Sequence, residues 1–300
     1  AIFNWFDGNT KDEYELRYGE NPHQNARALV NNDKFAQLSG DKKLSYNNLL
    51  DLDAAVKIAY GVNTKNNICA IIKHNTPCGA AIGKIQTECY NKALAGDPLS
   101  AFGGVVSFNK KISKKTARLL LKNFYEVISA PSYEKEALDI LKTKKNLRVV
   151  KVKKINHKLE ERSFFGGTLI QDTNNKKTSI ENINGVNKLN VEKINFFVNV
   201  LKNIKSNAIA LFDENSLISQ SGGQTSRVDA LQNCLYKFNI RHKIRKLRKA
   251  YLFSDAFFPF TDSLSIIRKQ KIKIDTYAPM GSKNDPDIQR DIKKHKLNFF

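Results

Sequence analysis

The sequence predicts an α/β protein made of two layered units that follow one another along the chain. Three observations indicate this fold class. Short apolar runs alternate with amphipathic helical segments, which is the pattern of strands and helices packed in layers. The chain has 300 residues, about the length of two ordinary domains. Hydrophobic residues make up 41% of it, enough to build a substantial core.

The alternation in the first half is regular. Apolar runs too short for a helix predict strands at Ile68–Lys73, Val105–Phe108, Glu126–Ala130 and Leu147–Val152. Helical patterns between and before these runs predict helices at Asn47–Tyr60, Gln86–Ala95, Ser113–Phe124 and Ser132–Asn146. The segment His74–Gly83 is rich in turn residues and is predicted to be a loop.

A polar stretch, Thr173–Asn190, is the best candidate for an internal boundary. Beyond it the patterns predict helices at Val191–Lys205, from Thr225, from Asp262 and at Asp285–Lys296, and strands at Ala208–Phe212, Leu217–Gln220, Ala250–Phe253 and Ile272–Tyr277. We therefore expect a junction over residues 1–15, a first unit over 16–180 and a second over 181–300.

Composition narrows the classes of function. The net charge of +21 first suggests a nucleic-acid-binding protein, but 39 of the 50 basic residues are Lys, spread along the whole chain. Arginine, which is favoured for bidentate base and phosphate recognition, is scarce. A solvated lysine-rich surface is therefore the favoured interpretation. The apolar runs are too short for a membrane span, and the four cysteines form no C-x-x-C pair, so a reduced, cytoplasmic setting is expected.

Two loops in the first half combine residues suited to chemistry. Arg17 and Tyr18 place a fixed cation beside a phenol, which suits a phosphate or carboxylate, although a plain surface turn is an equally good interpretation. Lys73 and His74 leave a predicted buried strand together. They offer a cation beside a general base that titrates near neutral pH, while the simpler alternative is a lysine that only reaches solvent.

Two further loops lie in the second half. The first pairs Asn207, at a strand start, with Gly222-Gly223 ahead of a helix, where free N–H groups suit an anion. Arg227, in the first turn of that helix, opposes the helix dipole, which indicates a ligand role or a plain surface arginine. The second loop, Ser254–Asp262, sets aromatic residues beside carboxylates; it suits a flat heterocycle, but on spacing alone it is more often core.

Two motif look-alikes fail. The segment Gly79–Ile85 resembles a phosphate-binding P-loop but is one residue short and has Ile where Ser or Thr is needed. The segment from His74 to Cys78 resembles a zinc deaminase signature, yet it lacks the H-x-E motif and has Ala81 in place of the second cysteine. A metal requirement is therefore not expected.

Taken together, eight ordered segments resemble the transformylase part of the bifunctional purine biosynthesis (PurH) family, from about Leu16 onward. They are RYGENPHQ, KLSYNNLLDLDAA, KHNTPCGAAIG, GDPLSAFGGVVSFN, APSYEKEALDIL, SNAIALF, GGQTSRVDA and SDAFFPFTD. This family couples an AICAR formyltransferase to an IMP cyclohydrolase domain. The resemblance implies that the cyclohydrolase domain and a short closing segment are absent here.

The resemblance also implies a fold and a reaction. The fold is two cytidine-deaminase-like, three-layer α/β/α subdomains with no zinc site. The reaction moves a formyl group from 10-formyltetrahydrofolate, the co-substrate, to the amine of AICAR. By resemblance His74 is the base, Lys73 stabilises charge or protonates the leaving nitrogen, and Asn207 orients the reacting groups. A catalytically inactive paralogue is the alternative, and it is disfavoured because all three residues are present.

The resemblance further implies substrate contacts and assembly. For AICAR the matching positions are Arg17, Tyr18, His74, Gly103, Glu126, Asn207 and Arg227. For the folate they are Val228, Phe257, Asp262, Ser282 and Lys283. The sequence departs from the family pattern at Thr261, where Arg is usual, and in the loop Met280–Lys283. A homodimer with shared active sites is expected, with neither nucleic acid nor membrane as a partner.

Overall fold

The structure is a computed structural model that describes residues 12–30, 34–153, 158–174, 176, 178–241 and 247–300. Its strands are β1 (Asp12–Glu15), β2 (Arg27–Val30), β3 (Phe35–Ser39), β4 (Asn67–Lys73), β5 (Thr76–Gly83), β6 (Gly104–Phe108), β7 (Tyr125–Ala130), β8 (Arg148–Val152), β9 (Leu159–Phe164), β10 (Gly167–Asp172), β11 (Ile209–Phe212), β12 (Leu217–Ser221), β13 (Lys249–Ser254) and β14 (Lys273–Tyr277). Its helices are α1 (Tyr46–Tyr60), α2 (Gln86–Leu94), α3 (Pro98–Ala101), α4 (Lys114–Leu120), α5 (Lys135–Lys142), α6 (Val191–Lys202), α7 (Arg227–Arg241), α8 (Asp262–Arg268) and α9 (Asp285–Lys294).

The first half contains a six-stranded mixed sheet in the order β3-β8-β7-β6-β4-β5. Strand β4 runs antiparallel to both of its neighbours, β5 and β6, whereas β6, β7 and β8 are parallel. Strand β3 closes the far edge in the antiparallel direction. Because β4 opposes the parallel strands, its last residue lies at the same sheet edge as the first residues of β6, β7 and β8.

The second half repeats this arrangement. Its sheet has the order β12-β11-β13-β14, with β11 antiparallel to β12 and β13, and β13 parallel to β14. Phe299 then bridges β14 in parallel and Asn184 in the antiparallel direction, as β8 and β3 do in the first half. The two halves therefore share one strand order and one set of directions, a repeat that no short sequence period indicates.

The two sheets meet along β5 and β12. Ala81 and Ser216 form an antiparallel bridge, and the N–H of Ile82 donates to the carbonyl of Asn215 at 2.9 Å. One apolar cluster covers the same face of both sheets and joins Ile72 from the first half to Phe197 from the second. The halves are therefore packed on a shared core rather than linked only by chain.

Helices complete a layered architecture. Helices α1 and α6 contribute to the shared core. The opposite face of the first sheet packs against α2, α4 and α5, and that of the second packs against α7, α8 and α9. Alternate residues of each central strand point to the two faces, as Ile72 and Ile71 do in β4. The mixed α/β class expected from the sequence is confirmed.

The predicted loop His74–Gly83 is wrong. Only His74 and Asn75 form a turn, and Thr76–Gly83 is the buried strand β5. Pro77 is accommodated because the register shifts by a bulge opposite Ile72. Gly79 is required by packing, since an added Cβ would come within 2.1 Å of the Ala93 carbonyl. Pro77 and Gly79 are residue types that commonly occur in loops, but in this protein both belong to a strand.

Several strands of the structure were not predicted from the sequence. The hairpins β1–β2 and β9–β10 and the edge strand β3 are mixed in polarity, so no alternation marks them. Residues 12–15, expected to belong to a junction, form β1, while residues 1–11 lie outside the described residues. Ser113, the first residue of the predicted helix Ser113–Phe124, is the N-cap of α4, because its hydroxyl accepts from the N–H of Thr116. No helix in the described part of the chain is long and apolar enough to cross a membrane.

Candidate functional site

The polar loops singled out in the sequence gather at one edge of the two sheets. In the first half this edge holds the end of β4 and the starts of β6, β7 and β8. In the second half it holds the start of β11 and the ends of β12, β13 and β14. If the register between β5 and β12 continues from the Ala81–Ser216 bridge, Thr76 lies opposite Ser221, so both sets of strand ends share this edge.

Lys73 is held by the chain that enters β6. Its ammonium donates to the carbonyl of Gly103 at 3.0 Å, and Gly103 has a φ of +68°. A Cβ added to Gly103 would lie 2.9 Å from Lys73 Nζ. Glycine therefore suits this position through its backbone angle, and an added Cβ would displace the Lys73 ammonium. An ammonium has three donors, so further donors of Lys73 can serve a ligand.

His74 and Asn75 form the two-residue turn that joins β4 to β5. Their φ angles are 51° and 56°, and Lys73 pairs with Thr76 across the turn. Two positive φ values are the mark of a type I′ hairpin, which usually takes Asn or Gly. His74 is exposed at the tip of this turn. The turn therefore presents an imidazole to solvent next to the Lys73 ammonium.

A buried carboxylate lies beneath this turn. Asp51, in the second turn of α1, is 8% exposed and accepts a hydrogen bond from the backbone N–H of Asn75. Burial raises the pKa of the Asp51 carboxyl, while the N–H groups of Asn75 and His74 and the charges of His74 and Lys73 act to lower that pKa. Asp51 is thus coupled to both residues of the Lys73–His74 pair.

Glu126, at the start of β7, belongs to a second polar network at the same edge. Arg148 donates to the Glu126 carboxylate at 2.9 Å and to the Asn48 side chain at 2.7 Å. Asn48 in turn donates to the same Glu126 oxygen, Oε2, at 2.7 Å. The Glu126 side chain is 34% exposed, whereas that of Arg148 is 4% exposed. The network therefore fixes one carboxylate oxygen and leaves the carboxylate open to a ligand.

The loop of Arg17 and Tyr18 is tied to the start of α1. The Arg17 guanidinium lies over the Tyr18 ring, 5.2 Å from its centre, and the Tyr18 carbonyl accepts from the N–H of Tyr46 at 3.1 Å. Asn47 also donates to the carbonyl of Glu20 at 3.0 Å. Since α1 also carries Asn48 and Asp51, this loop lies on the same side of the molecule as Lys73 and Glu126.

The second half has a cluster of a different kind. Arg227 is 7% exposed and forms an ion pair with Asp255. The guanidinium also donates to the Ala208 carbonyl at 3.1 Å and to the Asn207 side chain at 2.8 Å. Burial alone would raise the pKa of the Asp255 carboxyl, but hydrogen bonds from Ser206, Ala208 and Arg227 outweigh it and lower that pKa. The ion pair and its hydrogen bonds join β11, α7 and β13.

This cluster changes two interpretations of the sequence. The unusual Arg227 in the first turn of α7 is accounted for within the chain, because Asp255 supplies its counter-charge. The prediction of a free N–H at Gly223 is wrong, because this N–H donates to the Lys205 carbonyl at 2.6 Å. The amide of Asn207 is also engaged, with Gln224 and with Arg227. Asn207 and Arg227 therefore belong to the scaffold as well as to the candidate site.

The residues proposed for the folate lie on the loops after β13 and β14. Phe257 is 39% exposed and Asp262 is at the first position of α8. Ser282 and Lys283 lie in the next loop, and that loop is joined to the first by the Asn284 side chain, which donates to the Pro259 carbonyl at 2.8 Å. Val228 is half-buried, directly after Arg227. Because β13 and β14 are adjacent and parallel, both loops leave the same sheet edge.

A cavity of about 540 Å³ lies between these loops and α6. Its wall includes Asp255 on one side, Pro279 and Met280 on another, and the aromatic rings of Phe253 and Tyr277. This volume is within the range of small-molecule sites. Among the described residues, no group of three or more His, Cys, Asp or Glu side chains is placed to hold a metal ion.

Among the described residues, no hydrogen bond or ion pair joins the group around Lys73 to the group around Arg227. Strands β5 and β12 lie between β4, which ends at Lys73, and β11, which starts after Asn207. Three strand spacings amount to about 14 Å. The structure thus brings Lys73, His74, Gly103 and Glu126 to one group, and Asn207 and Arg227 to another.

Four residues of these clusters received no role from the sequence. They are Asn48, Asp51, Arg148 and Asp255. Asn48 and Asp51 are polar residues one turn apart on α1, on a face that is otherwise buried and apolar. That spacing was a usable signal, because buried polar side chains need partners. Nothing local marks Arg148, and the loop pattern that drew attention to the Asp255 carboxylate gave no sign of its partner Arg227, which is distant in sequence.

The fold and the site define an α/β protein of two similarly wound halves, with its polar strand-end loops on a common edge. Comparison with known families agrees with this class. Residues 2–237 match the family model described as the AICARFT/IMPCHase bienzyme. The chain belongs to this family.

Individual relatives give the same assignment. The chain is 39% identical over 296 residues to the bifunctional purine biosynthesis protein PurH of Fusobacterium nucleatum, covering 95% of this chain and 57% of that protein. It is 40% identical over 288 residues to PurH of Desulfitobacterium hafniense, covering 91% and 54%. The chain therefore spans little more than half the length of these relatives and corresponds to their transformylase region. Nothing in these matches favours the nucleic-acid-binding alternative.

Proposed function

We propose that this chain carries AICAR formyltransferase activity, transferring a formyl group from 10-formyltetrahydrofolate to the 5-amino group of AICAR. The observation that carries the proposal is the Lys73–His74 pair, presented at a strand end by a constrained turn. Family membership supports it, as does the position of the pair on the edge where ligands of α/β sheets collect.

The reaction needs both a base and a cation. The amine of AICAR is a weak nucleophile, because its lone pair is delocalised into the ring. In the proposed reaction a new bond forms between this nitrogen and the formyl carbon, while the bond from that carbon to the folate nitrogen breaks. His74 takes the proton from the amine, and Lys73 stabilises the oxyanion and gives a proton to the departing nitrogen.

The surrounding residues suit the nucleotide. Glu126, open on one side and fixed on the other by Arg148, can accept from ribose hydroxyls. Arg17 and Tyr18 offer an exposed cation and a phenol for the phosphate. In the second half, Phe257 offers a flat apolar surface and Asp262 an acceptor for the pterin edge of the folate, with Val228, Ser282 and Lys283 beside them.

The proposal includes a homodimer and a fold type. The gap of about three strand spacings between the two clusters is bridged if a second copy brings its own loops to the site. The hairpin β9–β10 supports a second copy as partner, because it is exposed along both strands and carries Phe165 and Ile170 at its surface. Its acidic excess (Glu160, Glu161 and Asp172 against Arg162) complements the strongly basic remainder of the chain. The shared strand order supports cytidine-deaminase-like subdomains.

A direct assay tests the function. The chain is mixed with AICAR and 10-formyltetrahydrofolate, release of tetrahydrofolate is followed by absorbance, and sedimentation gives the oligomeric state of the same sample. We expect release that requires AICAR, from a dimer. The full-length PurH of Fusobacterium nucleatum serves as the reference. AICAR-independent release, or no release from a dimeric and folded sample of this chain while the reference is active, would contradict the proposal.

A further inference from the structure

The turn that carries His74 has an unusual composition for its geometry. Both of its residues have positive φ, yet neither is glycine. Non-glycine residues rarely adopt this region, although Asn and His do so more often than most. Such a turn persists only where its surroundings hold it in place. The feature that holds it is therefore part of how the candidate base is presented.

Asp51 is the feature that reaches the turn from outside the hairpin. Its carboxylate is buried on α1 and accepts the backbone N–H of Asn75, across a sequence separation of 24 residues. Another hydrogen bond of the turn is local: the Thr76 hydroxyl donates to the His74 carbonyl at 3.3 Å. Asp51 thus anchors the turn to the rigid helix α1.

The cost of this anchor indicates a purpose. Burying a carboxylate is unfavourable unless it is paired or hydrogen-bonded. Burial is the largest influence on the Asp51 carboxyl and raises its pKa, in spite of the opposing N–H groups and nearby charges. An uncharged acceptor would hold the same N–H at lower cost. A negative charge at this place instead suits the Lys73 ammonium and the imidazolium that forms when His74 takes up a proton.

We propose that Asp51 is a positioning residue, which fixes the left-handed turn at His74–Asn75 and thereby sets where the imidazole and the Lys73 ammonium point. This inference rests on the proposed function, because it assigns Asp51 to the same site. It adds a residue that acts through the backbone of the turn and makes no contact with substrate.

Two variants and a matched control test the inference. Asp51→Ala removes the acceptor, and Asp51→Asn keeps an acceptor oxygen without the charge. Asp53→Asn is the control, since Asp53 is on the exposed face of the same helix, paired only with Lys57. Each protein is examined by amide hydrogen exchange at Asn75 and by steady-state kinetics of formyl transfer.

We expect exchange at Asn75 to become about tenfold faster in Asp51→Ala, from the loss of one hydrogen bond. We expect kcat to fall by up to about 10²-fold with KM for AICAR nearly unchanged, because a small displacement of a catalytic group affects the transition state most. Asp51→Asn should recover part of both losses, and Asp53→Asn should resemble the wild type.

The outcomes separate this inference from the proposed function. An unchanged kcat in Asp51→Ala, in a preparation whose wild type is active, would overturn the positioning role. If the wild type transfers no formyl group, the proposed function fails, and exchange at Asn75 alone decides whether Asp51 holds the turn. If Asp51→Ala does not fold, Asp51→Asn decides: a kcat equal to the wild type, with exchange at Asn75 faster than in the wild type, would likewise overturn the inference.

Discussion

Each half of the molecule holds a carboxylate at the functional edge, and the two are used in opposite ways. Asp255 is matched by the buried Arg227, and the pKa of its carboxyl is lowered. Among the described residues, no arginine is paired with Asp51, and the pKa of its carboxyl is raised by burial. A lowered carboxyl pKa means that ionisation favours folding, whereas a raised one means that ionisation opposes it.

The difference distinguishes scaffold from chemistry. In the second half, charge and amide groups satisfy one another, so the cluster stabilises β11, α7 and β13 against each other. In the first half the reactive groups remain accessible, and His74 is exposed on a turn that L residues rarely adopt. Functional sites commonly retain such unfavourable features when the surrounding structure offsets them.

The largest expected effect is on catalysis in the first half. His74→Ala should reduce kcat for formyl transfer by about 10²–10⁴-fold, the usual contribution of a positioned base. Because His74 is exposed, the free energy of unfolding should hardly change. Steady-state kinetics and urea denaturation check both points. His295→Ala, at the far end of α9, is the control. Equal activity in His74→Ala would remove the assigned base.

The largest expected effect on stability is in the second half. Arg227→Met leaves the Asp255 carboxylate without its cation, which should cost about 3 kcal/mol of unfolding free energy. Arg290→Met breaks an exposed ion pair with Asp287 and should cost less than about 1 kcal/mol. Chemical denaturation of both variants makes the comparison. Equal losses of unfolding free energy would show that the buried Arg227–Asp255 pair stabilises the fold no more than an exposed ion pair does.

A pair of glycines sharpens the contrast further. Gly103 and Gly223 have the same φ of +68°, so an alanine at either should cost about 1 kcal/mol of stability. Only at Gly103 would the new Cβ meet Lys73 Nζ, whereas at Gly223 it meets only Lys205 Cδ at 3.9 Å. Gly103→Ala should therefore also lower kcat. If its kinetics match the wild type, the Lys73–Gly103 contact is not needed for turnover.

The smallest expected effect is a pH dependence of opposite sign in the two halves. The lowered pKa of Asp255 contributes stability that is present above its unfolded value, about 3.8, and lost as pH falls through the folded pKa. The raised pKa of Asp51 contributes stability that is present below about 3.8 and lost as pH rises through the folded pKa.

Denaturation of Asp255→Asn and Asp51→Asn between about pH 3 and pH 7 tests these signs. The free energy of unfolding of Asp255→Asn should lie furthest below that of the wild type at neutral pH and closest to it in acid. The free energy of unfolding of Asp51→Asn, measured against the wild type at the same pH, should be most favourable at neutral pH. This gain in stability should shrink in acid. Parallel profiles for the two variants would contradict the contrast between the halves.

Much of the fold was predictable because it is local. The helix Tyr46–Tyr60 and the strand Asn67–Lys73 follow the periodicity of their apolar residues to within one residue. The placement of Lys73 and His74 at a strand end also follows from the run of apolar residues before them. Strand β5 was not predicted because Pro77 and Gly79 are residue types that usually indicate loops. In this protein a bulge accommodates Pro77, and the close approach of helix α2 requires Gly79.

By itself, then, the sequence determined the fold class, most of the helices and strands, and which residues suited to catalysis or binding follow the strands. Tertiary structure alone decided their partners. Arg148 and Asn48 are 100 residues apart and Arg227 and Asp255 are 28 apart, yet each pair is in contact. Periodicity reports which way a side chain faces, but the partner it meets depends on how sheets and helices are stacked, and a hydrogen bond between distant residues leaves no local pattern.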